Sequence, residues 1–386
     1  MEIKINNNKI HEIGVLTYWQ SCNNYGQILQ AWALQKYLII NGYAPYIIRF
    51  DTDNRIIAKK KWKVILKLVL FPLFLYKKYE KIRKKNIQNR NDQKREFNKF
   101  REDNFRFSKY VYRSLGELEK NAPDAEAYIV GSDQVWGQLL SDPENRVWFL
   151  PFGESIVRRI SYAPSFGRKH YPLHLINELK NCLNNLDSIS CREQAGVEIC
   201  NRCEITDAIK VADPTLLLNK SAYIDIMAER IIKDDYIFVY ALNVNNKEQL
   251  FWNDIEKNAI QQNWKIVLTN GGGYIDAINL DVNAHKIDAT IPEWLSLIYY
   301  AKQVVTTSFH GVVFSLIFNK SFLYIPLIGK NSSGNVRVFD LLSTIMSIDE
   351  NNDIIRFDAN KTTDEMQYKL KKFIKDSQEY LLNSLK

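Results

Sequence analysis

The chain has 386 residues, 46% of them hydrophobic and 25% charged, a balance that excludes whole-chain disorder, collagen and a coiled-coil rod. Its length suffices for two sizeable cores. The formal net charge of +8 is uneven: residues 59–101 carry 16 Lys or Arg against 3 Asp or Glu, which leaves the remainder mildly acidic.

The first residues, M-E-I-K-I-N-N-N-K-I, lack the pattern of a secretory leader. Ile13 to Tyr18 is an apolar run of strand length, and the polar loop W-Q-S-C-N-N-Y-G follows at 19–26. Gln27 to Asn41 places Ile28, Ala31, Trp32, Leu34, Leu38 and Ile39 on one broad helical face, with Gly42 as the stop signal and Pro45 to Phe50 as the next strand. Strand, loop, helix, strand implies a parallel sheet. In the basic segment the run from Val64 to Tyr76 is broken by Lys67 and Pro72, and it falls short of the roughly 20 residues a spanning helix needs, so no transmembrane segment is expected.

Three more strands follow the basic segment. Ala127 to Val130 leads into G-S-D-Q-V-W, Arg159 to Ala163 into P-S-F-G, and Ser188 to Cys191 into R-E-Q-A-G. A second series runs through strands at Tyr236 to Leu242 and Lys265 to Leu268, the latter followed by T-N-G-G-G. It continues with a helix at Trp294 to Ala301, a strand at Gln303 to Thr306, a helix at Val312 to Phe318 and a strand at Phe322 to Pro326. A closing helix is expected from Asp364 to Leu385, with Thr362 and Glu365 as its capping box. The fold expected is α/β: two Rossmann-like domains facing a cleft. The first spans 1–225, with a basic insertion at about 55–110, and the second spans 226–386 and ends in a long helix. There is no G-x-G-x-x-G and no P-loop.

Open parallel sheets bind ligands beyond the carboxyl ends of their strands, which selects the loops named above. Ser308 is placed to cap a helix starting near Phe309, whose free N–H groups and dipole favour a phosphate or carboxylate. In that turn Gly311 would admit a ligand closely, and His310 would donate a proton, pair with an anion, or pack between helix and strand. Arg192, at a strand end, is a candidate anion fork or an interdomain ion pair, and Arg337 is a second candidate clamp. Asp133 reads as a general base or a helix cap. Asn23, Asn24 and Tyr25 form a loop suited to sugar hydroxyls or to an Asx-type turn, and Gly271 to Gly273 a phosphate cradle or a turn.

The basic segment reads as a membrane-surface patch or a solvated helical insertion; no nucleic-acid motif accompanies it, so no nucleic-acid partner is expected. Five cysteines, with Cys200 and Cys203 as one isolated C-x-x-C pair, point to reduced thiols in a cytoplasm and to no zinc site.

Six blocks carry a resemblance: N-N-Y-G-Q-I-L-Q-A-W-A-L-Q at 23–35, A-Y-I-V-G-S-D-Q-V-W at 127–136, R-I-S-Y-A-P-S-F-G at 159–167, S-I-S-C-R-E-Q-A-G-V at 188–197, A-D-P-T-L-L-L at 212–218 and V-V-T-T-S-F-H-G-V-V-F-S at 304–315. In this order they resemble the polysaccharide pyruvyl transferases. The resemblance implies the two-domain glycosyltransferase B architecture. It also implies transfer of a pyruvyl group from phosphoenolpyruvate to two hydroxyls of one sugar in a surface-polysaccharide precursor, giving a cyclic ketal with no cofactor and no metal. It further implies a lipid-linked acceptor met at the inner face of the cell membrane, which suits peripheral contact through residues 59–101. His310 matches the family histidine of S-F-H-G or R-L-H-G, and Arg192 the arginine of S-x-R-E. Many members have Arg at the position of Ser308, and others have Asp at that of Thr307. Anion binding therefore falls more on Arg192 and Arg337, and proton transfer by an aspartate at 307 is excluded. The alternatives are a nucleotide-sugar glycosyltransferase of the same fold and a non-catalytic basic-surface binding protein.

Overall fold

The structure, a computed structural model, describes residues 11–20, 24–51, 95–269, 271 and 280–386. Asn23, most of the basic segment, the Val64 to Tyr76 run, Gly272 and Gly273 lie outside the described residues.

Two sheets carry the molecule. The first joins β1 (Glu12–Leu16), β2 (Ala44–Phe50), β3 (Phe107–Tyr112), β4 (Ala127–Val130) and β5 (Arg158–Ser161) in the order β3-β2-β1-β4-β5, every pair parallel. A bridge from Ile160 to Ser188 links it to a short parallel pair, β6 (Ser190–Cys191) and β7 (Ile209–Lys210). The second contains β8 (Tyr236–Tyr240), β9 (Lys265–Thr269), β10 (His285–Ile287), β11 (Gln303–Thr306), β12 (Phe322–Tyr324) and β13 (Ile355–Phe357). Its order is β10-β9-β8-β11-β12-β13, with only β13 antiparallel. This is the expected α/β class with two Rossmann-like sheets. In each, the chain changes winding direction at the central strand, β1 or β8. The crevices at β1/β4 and β8/β11 are therefore the switch points where such sheets take ligands.

Helix α1 (Tyr25–Ile40) packs Ile28, Ala31, Trp32, Leu34 and Leu38 into the core, and its chain turns away at Gly42 in the left-handed region, φ 87°. The later helices that matter for the cleft are α2 (Gln194–Arg202), α3 (Ile291–Tyr300), α4 (Phe309–Ile317), α5 (Asn335–Ile345) and α6 (Asp364–Ser384). One continuous apolar cluster runs from Ile13, Val15 and Leu34 in the first half to Trp294, Val304 and Phe314 in the second.

Most elements start or end within a few residues of the sequence reading, and two helix starts change the role of a named residue. Thr363, not Thr362, caps α6, accepting from the Met366 N–H at 3.2 Å. Helix α1 begins at Tyr25 because Asn24 is its N-cap, accepting from the Gln27 N–H at 3.2 Å; this removes Tyr25 from the loop. Helix α6 reaches back to the first half: Tyr380 donates to the Ser161 carbonyl at 3.2 Å, Gln378 to the Leu217 carbonyl at 2.9 Å, and Ser377 accepts from the Ala212 N–H at 2.8 Å.

All four described cysteines are buried free thiols, and Cys200 lies 3.8 Å from Cys191. No helix among the described residues is long and apolar enough to cross a membrane.

Candidate active site

The carboxyl ends of β8 and β11 are tied together by threonines. Thr306 donates to the Tyr240 carbonyl at 2.6 Å and accepts from the Ser308 N–H at 3.0 Å. Thr307 donates to the Leu242 carbonyl at 2.8 Å and accepts from the Leu242 N–H at 2.7 Å. Ser308 caps α4 as expected, accepting from the Gly311 N–H at 3.4 Å. Gly311 has a different use from the expected one. It faces the strand, where a Cβ would collide with the Thr306 side chain, so the missing side chain lets α4 sit on β11 rather than admitting a ligand. The close approach that concerns His310 is made by Gly26 of α1. A Cβ on Gly26 would overlap the imidazole, so this glycine lets a second-half ring lie against a first-half helix.

Four charged side chains gather around that imidazole. Arg192, at the end of β6, donates from Nη1 to Asp213 Oδ2 at 2.9 Å, and its Nη2 lies 3.6 Å from Asp133 Oδ1. Arg337, in the first turn of α5, brings Nη1 to 3.9 Å from the same Asp133 oxygen. His310 Nε2 lies 3.6 Å from Asp213 Oδ2. Asp213 is further fixed by Ser132, which donates at 3.1 Å, and by the Thr215 N–H and hydroxyl, which donate to Oδ1 at 3.0 and 2.7 Å. The Phe309 ring sits beneath both guanidinium groups, 4.7 Å from that of Arg192 and 5.7 Å from that of Arg337. Residues 118 positions apart in sequence, Arg192 and His310, thus share one carboxylate oxygen.

The cluster is removed from water: Arg192 and Asp133 are each 4% exposed, Asp213 1% and His310 6%. Burial alone would raise both aspartates. It is more than offset at Asp213 by His310, Arg192 and the Thr215 N–H, and at Asp133 by Arg192, Arg337 and His310, so both carboxyls are held below the ordinary range. Glu193, buried beside Arg192, goes the other way: burial raises it and the arginine only partly opposes this. Arg337 is lowered by burial and by the like charge of Arg192, which marks a cation short of counter-charge. Asp133 does not cap a helix. It holds the left-handed region at φ 72°, as does Ala163 at φ 55°, and backbone strain of this kind is kept only where packing or function demands it.

Several buried polar atoms of the cluster have no hydrogen-bond partner: Asp133 Oδ2, Arg192 Nε and Nη2, Arg337 Nε, His310 Nε2 and Glu193 Oε2. Buried polar atoms are ordinarily paired, so this concentration of open guanidinium donors and carboxylate acceptors is what a ligand site would show. A cavity of about 120 Å³ lies alongside, walled by Asn24, Gln27, Asp133, Ser308, His310 and Arg337. Phe309 lines it as well, with Ser308 and His310 at the N-terminus of α4.

The structure therefore unites His310, Asp133, Arg192, Arg337, Ser308 and Asn24. Tyr25 is excluded from a sugar-binding role because it is fully buried between the halves. It donates to the Ala289 carbonyl at 2.6 Å, accepts from Arg95 at 3.2 Å and stacks on Trp294 at 5.1 Å. Asp213 was missed. Its signal was present in the block A-D-P-T, an acid directly after a strand with a threonine two residues on to fix it. Gln27 and Asn243, which also wall the cavity, carried no such signal. No group of three metal-ligating side chains occurs among the described residues.

Two Rossmann-like halves with a buried Arg–Asp–His cluster at their junction define an α/β protein of the two-domain, glycosyltransferase B type. The chain belongs to the polysaccharide pyruvyl transferase family, whose family model matches residues 24–327; this makes it a transferase of polysaccharide biosynthesis. No curated protein matches it. Among solved structures it is similar to the UDP-N-acetylglucosamine 2-epimerase of Rickettsia bellii, at 10% identity, with 98% of this chain and 97% of that one covered and a TM-score of 0.47. The UDP-GlcNAc 2-epimerase of Neisseria meningitidis shows 7% identity over 97% and 99% of the two chains, with a TM-score of 0.48. Arabidopsis thaliana UGT89C1 complexed with UDP-L-rhamnose shows 10% identity over 98% and 99%, with a TM-score of 0.49. Likeness at this level carries nothing about chemistry.

Proposed function

We propose that the protein transfers a pyruvyl group from phosphoenolpyruvate to two hydroxyls of one sugar in a surface-polysaccharide precursor. The observation that carries this reading is the set of unpartnered buried nitrogens on Arg337 and His310, which line one small cavity, and on Arg192, which stands behind Asp133 of that lining. Phosphoenolpyruvate bears a phosphate and a carboxylate, and two guanidinium groups with a helix N-terminus suit that pair of anions.

The chemistry balances as follows. A proton adds to the methylene carbon, and the first sugar hydroxyl attacks the adjacent carbon and loses its proton. The bond to the phosphate oxygen breaks, phosphate leaves, and the second hydroxyl closes the ketal with loss of its proton. His310 is the acid–base group in this reading, and Asp213, 3.6 Å from its Nε2, stabilises the imidazolium form. Asp133 was expected as a base. Its lowered pKa suits it less to that task than to balancing two arginines until the donor enters. Holding both hydroxyls against the reacting carbon supplies the orientation that two successive attacks need.

The basic segment 59–101 supports docking at an anionic membrane face, where a lipid-linked acceptor would be met.

The test is incubation with phosphoenolpyruvate and glycan intermediates isolated from the producing cells, read by mass spectrometry and phosphate release. Gain of a pyruvyl group with one phosphate released per ketal is expected. Consumption of phosphoenolpyruvate without modified glycan, or no consumption, would contradict it.

A further inference from the structure

We infer that the acceptor saccharide lies in a second, larger cavity on the second half, and that the sugar units occupying it carry no anionic group. This rests on the pyruvyl-transfer reading above.

The cavity measures about 580 Å³, against about 120 Å³ for the cationic one, and the two share Asn243, Thr307 and Leu327 as a common wall. It opens beyond the carboxyl ends of β8, β11 and β12, the position where a sheet of this topology takes a ligand. Thr307 is clamped by its two bonds to Leu242, so the divider between the cavities is rigid. Asn243 stands on it in the left-handed region, φ 60°, and lines both sides.

The lining suits a sugar. Asn246 Oδ1 accepts from the Gln249 N–H at 3.0 Å, and Gln249 Oε1 accepts from the Asn245 N–H at 2.7 Å. With their oxygens engaged, these amides keep their NH₂ donors for a hydroxylated ligand. Val244, Ile325 and Phe339 supply apolar surface for the flat face of a pyranose. Both chemistries are needed to bind a sugar, whose rims are polar and whose faces are not.

The charge of the lining then selects the class. Glu248, Glu350 and Asp353 line the cavity, and no lysine or arginine among the described residues does. A nucleoside diphosphate or a uronic acid would sit against three carboxylates with no compensating cation. Neutral hydroxyls, by contrast, donate to those carboxylates. The two cavities thus sort the substrates by charge, the anionic donor to the arginines and the uncharged acceptor to the acids.

The experiment uses a glycan array carrying neutral, uronate-bearing and phosphorylated oligosaccharides, probed with the wild type, Glu350→Trp and the double variant Glu350→Lys with Asp353→Lys. Both substituted positions are exposed, and melting curves check the fold. Wild type should retain neutral glycans, Glu350→Trp should lose them about tenfold or more, and the double variant should gain acidic ones. Preference of the wild type for acidic glycans, retention unaltered by Glu350→Trp, or a blank array would overturn the inference. Binding of uridine diphosphate by the wild type would do the same. Calorimetric titration of phosphoenolpyruvate into the same proteins separates the levels. Donor binding that persists while glycan selectivity fails removes only this inference; absence of donor binding in the wild type removes the reading beneath it.

Discussion

Tyr25 and Gly26 are neighbours at the start of α1, yet they enter two different junctions between the halves. Tyr25 enters an aromatic clasp with Phe97, Tyr240 and Trp294, the Arg95 guanidinium lying 4.7 Å from its ring centre and its own hydroxyl both donating and accepting. Gly26 borders the charged cluster, where His310, Arg192, Arg337 and Asp133 keep buried atoms without partners. Both regions are dry and both span the molecule. The first is ring packing around one fully used hydroxyl and holds the halves together; the second gathers two guanidinium groups, two carboxylates and an imidazole beside a cavity. Burial does not tell the two junctions apart, and neither does one orphaned atom, since the Trp294 indole N–H also lacks a partner; what differs is the concentration of charge beside an open cavity.

The comparison can be broken most forcefully at Arg192. Arg192→Met leaves Asp213 and Asp133 buried without the cation they share, so about 3–5 kcal/mol of stability should be lost in urea unfolding, together with donor binding. A milder loss would mean that the carboxylates find other partners.

His310→Ala should lower the transfer rate roughly 10²–10⁴-fold while costing far less stability than Arg192→Met. Gly26→Ala should mimic it, because the new methyl displaces the imidazole; initial rates and melting curves on both variants check this.

Tyr25→Phe sharpens the contrast from the other side. It leaves the Ala289 carbonyl without its donor and should cost about 1–3 kcal/mol, with the Kd for phosphoenolpyruvate unchanged.

The smallest effect concerns pH. Asp133 and Asp213, held low, contribute stability that is full at neutral pH and fades as pH falls below the usual carboxylate range. Glu193, held high, works oppositely: the fold favours its protonated form, and that contribution is lost as pH rises through its folded value. Glu193→Gln keeps the shape and removes the ionisation. It should therefore be more stable than the wild type at neutral pH, and the difference should shrink on acidification; melting temperatures across pH 4–8 read this out.

Most of the sheet framework was legible, because runs such as Ala127 to Val130 and Gln303 to Thr306 are apolar segments bounded by turn residues. Ser308 as a cap and Arg192 at a strand end follow from local rules of the same kind. What local rules could not supply was partnership. Nothing near Tyr25 in sequence reports Trp294, and nothing near Gly26 reports His310, since both contacts are made when the halves close on one another. Gly311 and Gly26 show the same limit: each glycine permits a close approach, but only the packed structure tells which neighbour approaches. Asp213 lay within a recognised block and was passed over because its value comes from Arg192 and His310, which reach it from elsewhere.

Calorimetric titration of phosphoenolpyruvate into the wild type and into Arg337→Ala tests the central claim most directly. Arg337 is the guanidinium with the least counter-charge, so its removal should spare the fold. The account expects saturable binding at one site per chain in the wild type and its loss in the variant, with the melting temperature little changed. Absence of binding in the wild type, or equal affinity in both proteins, would contradict it.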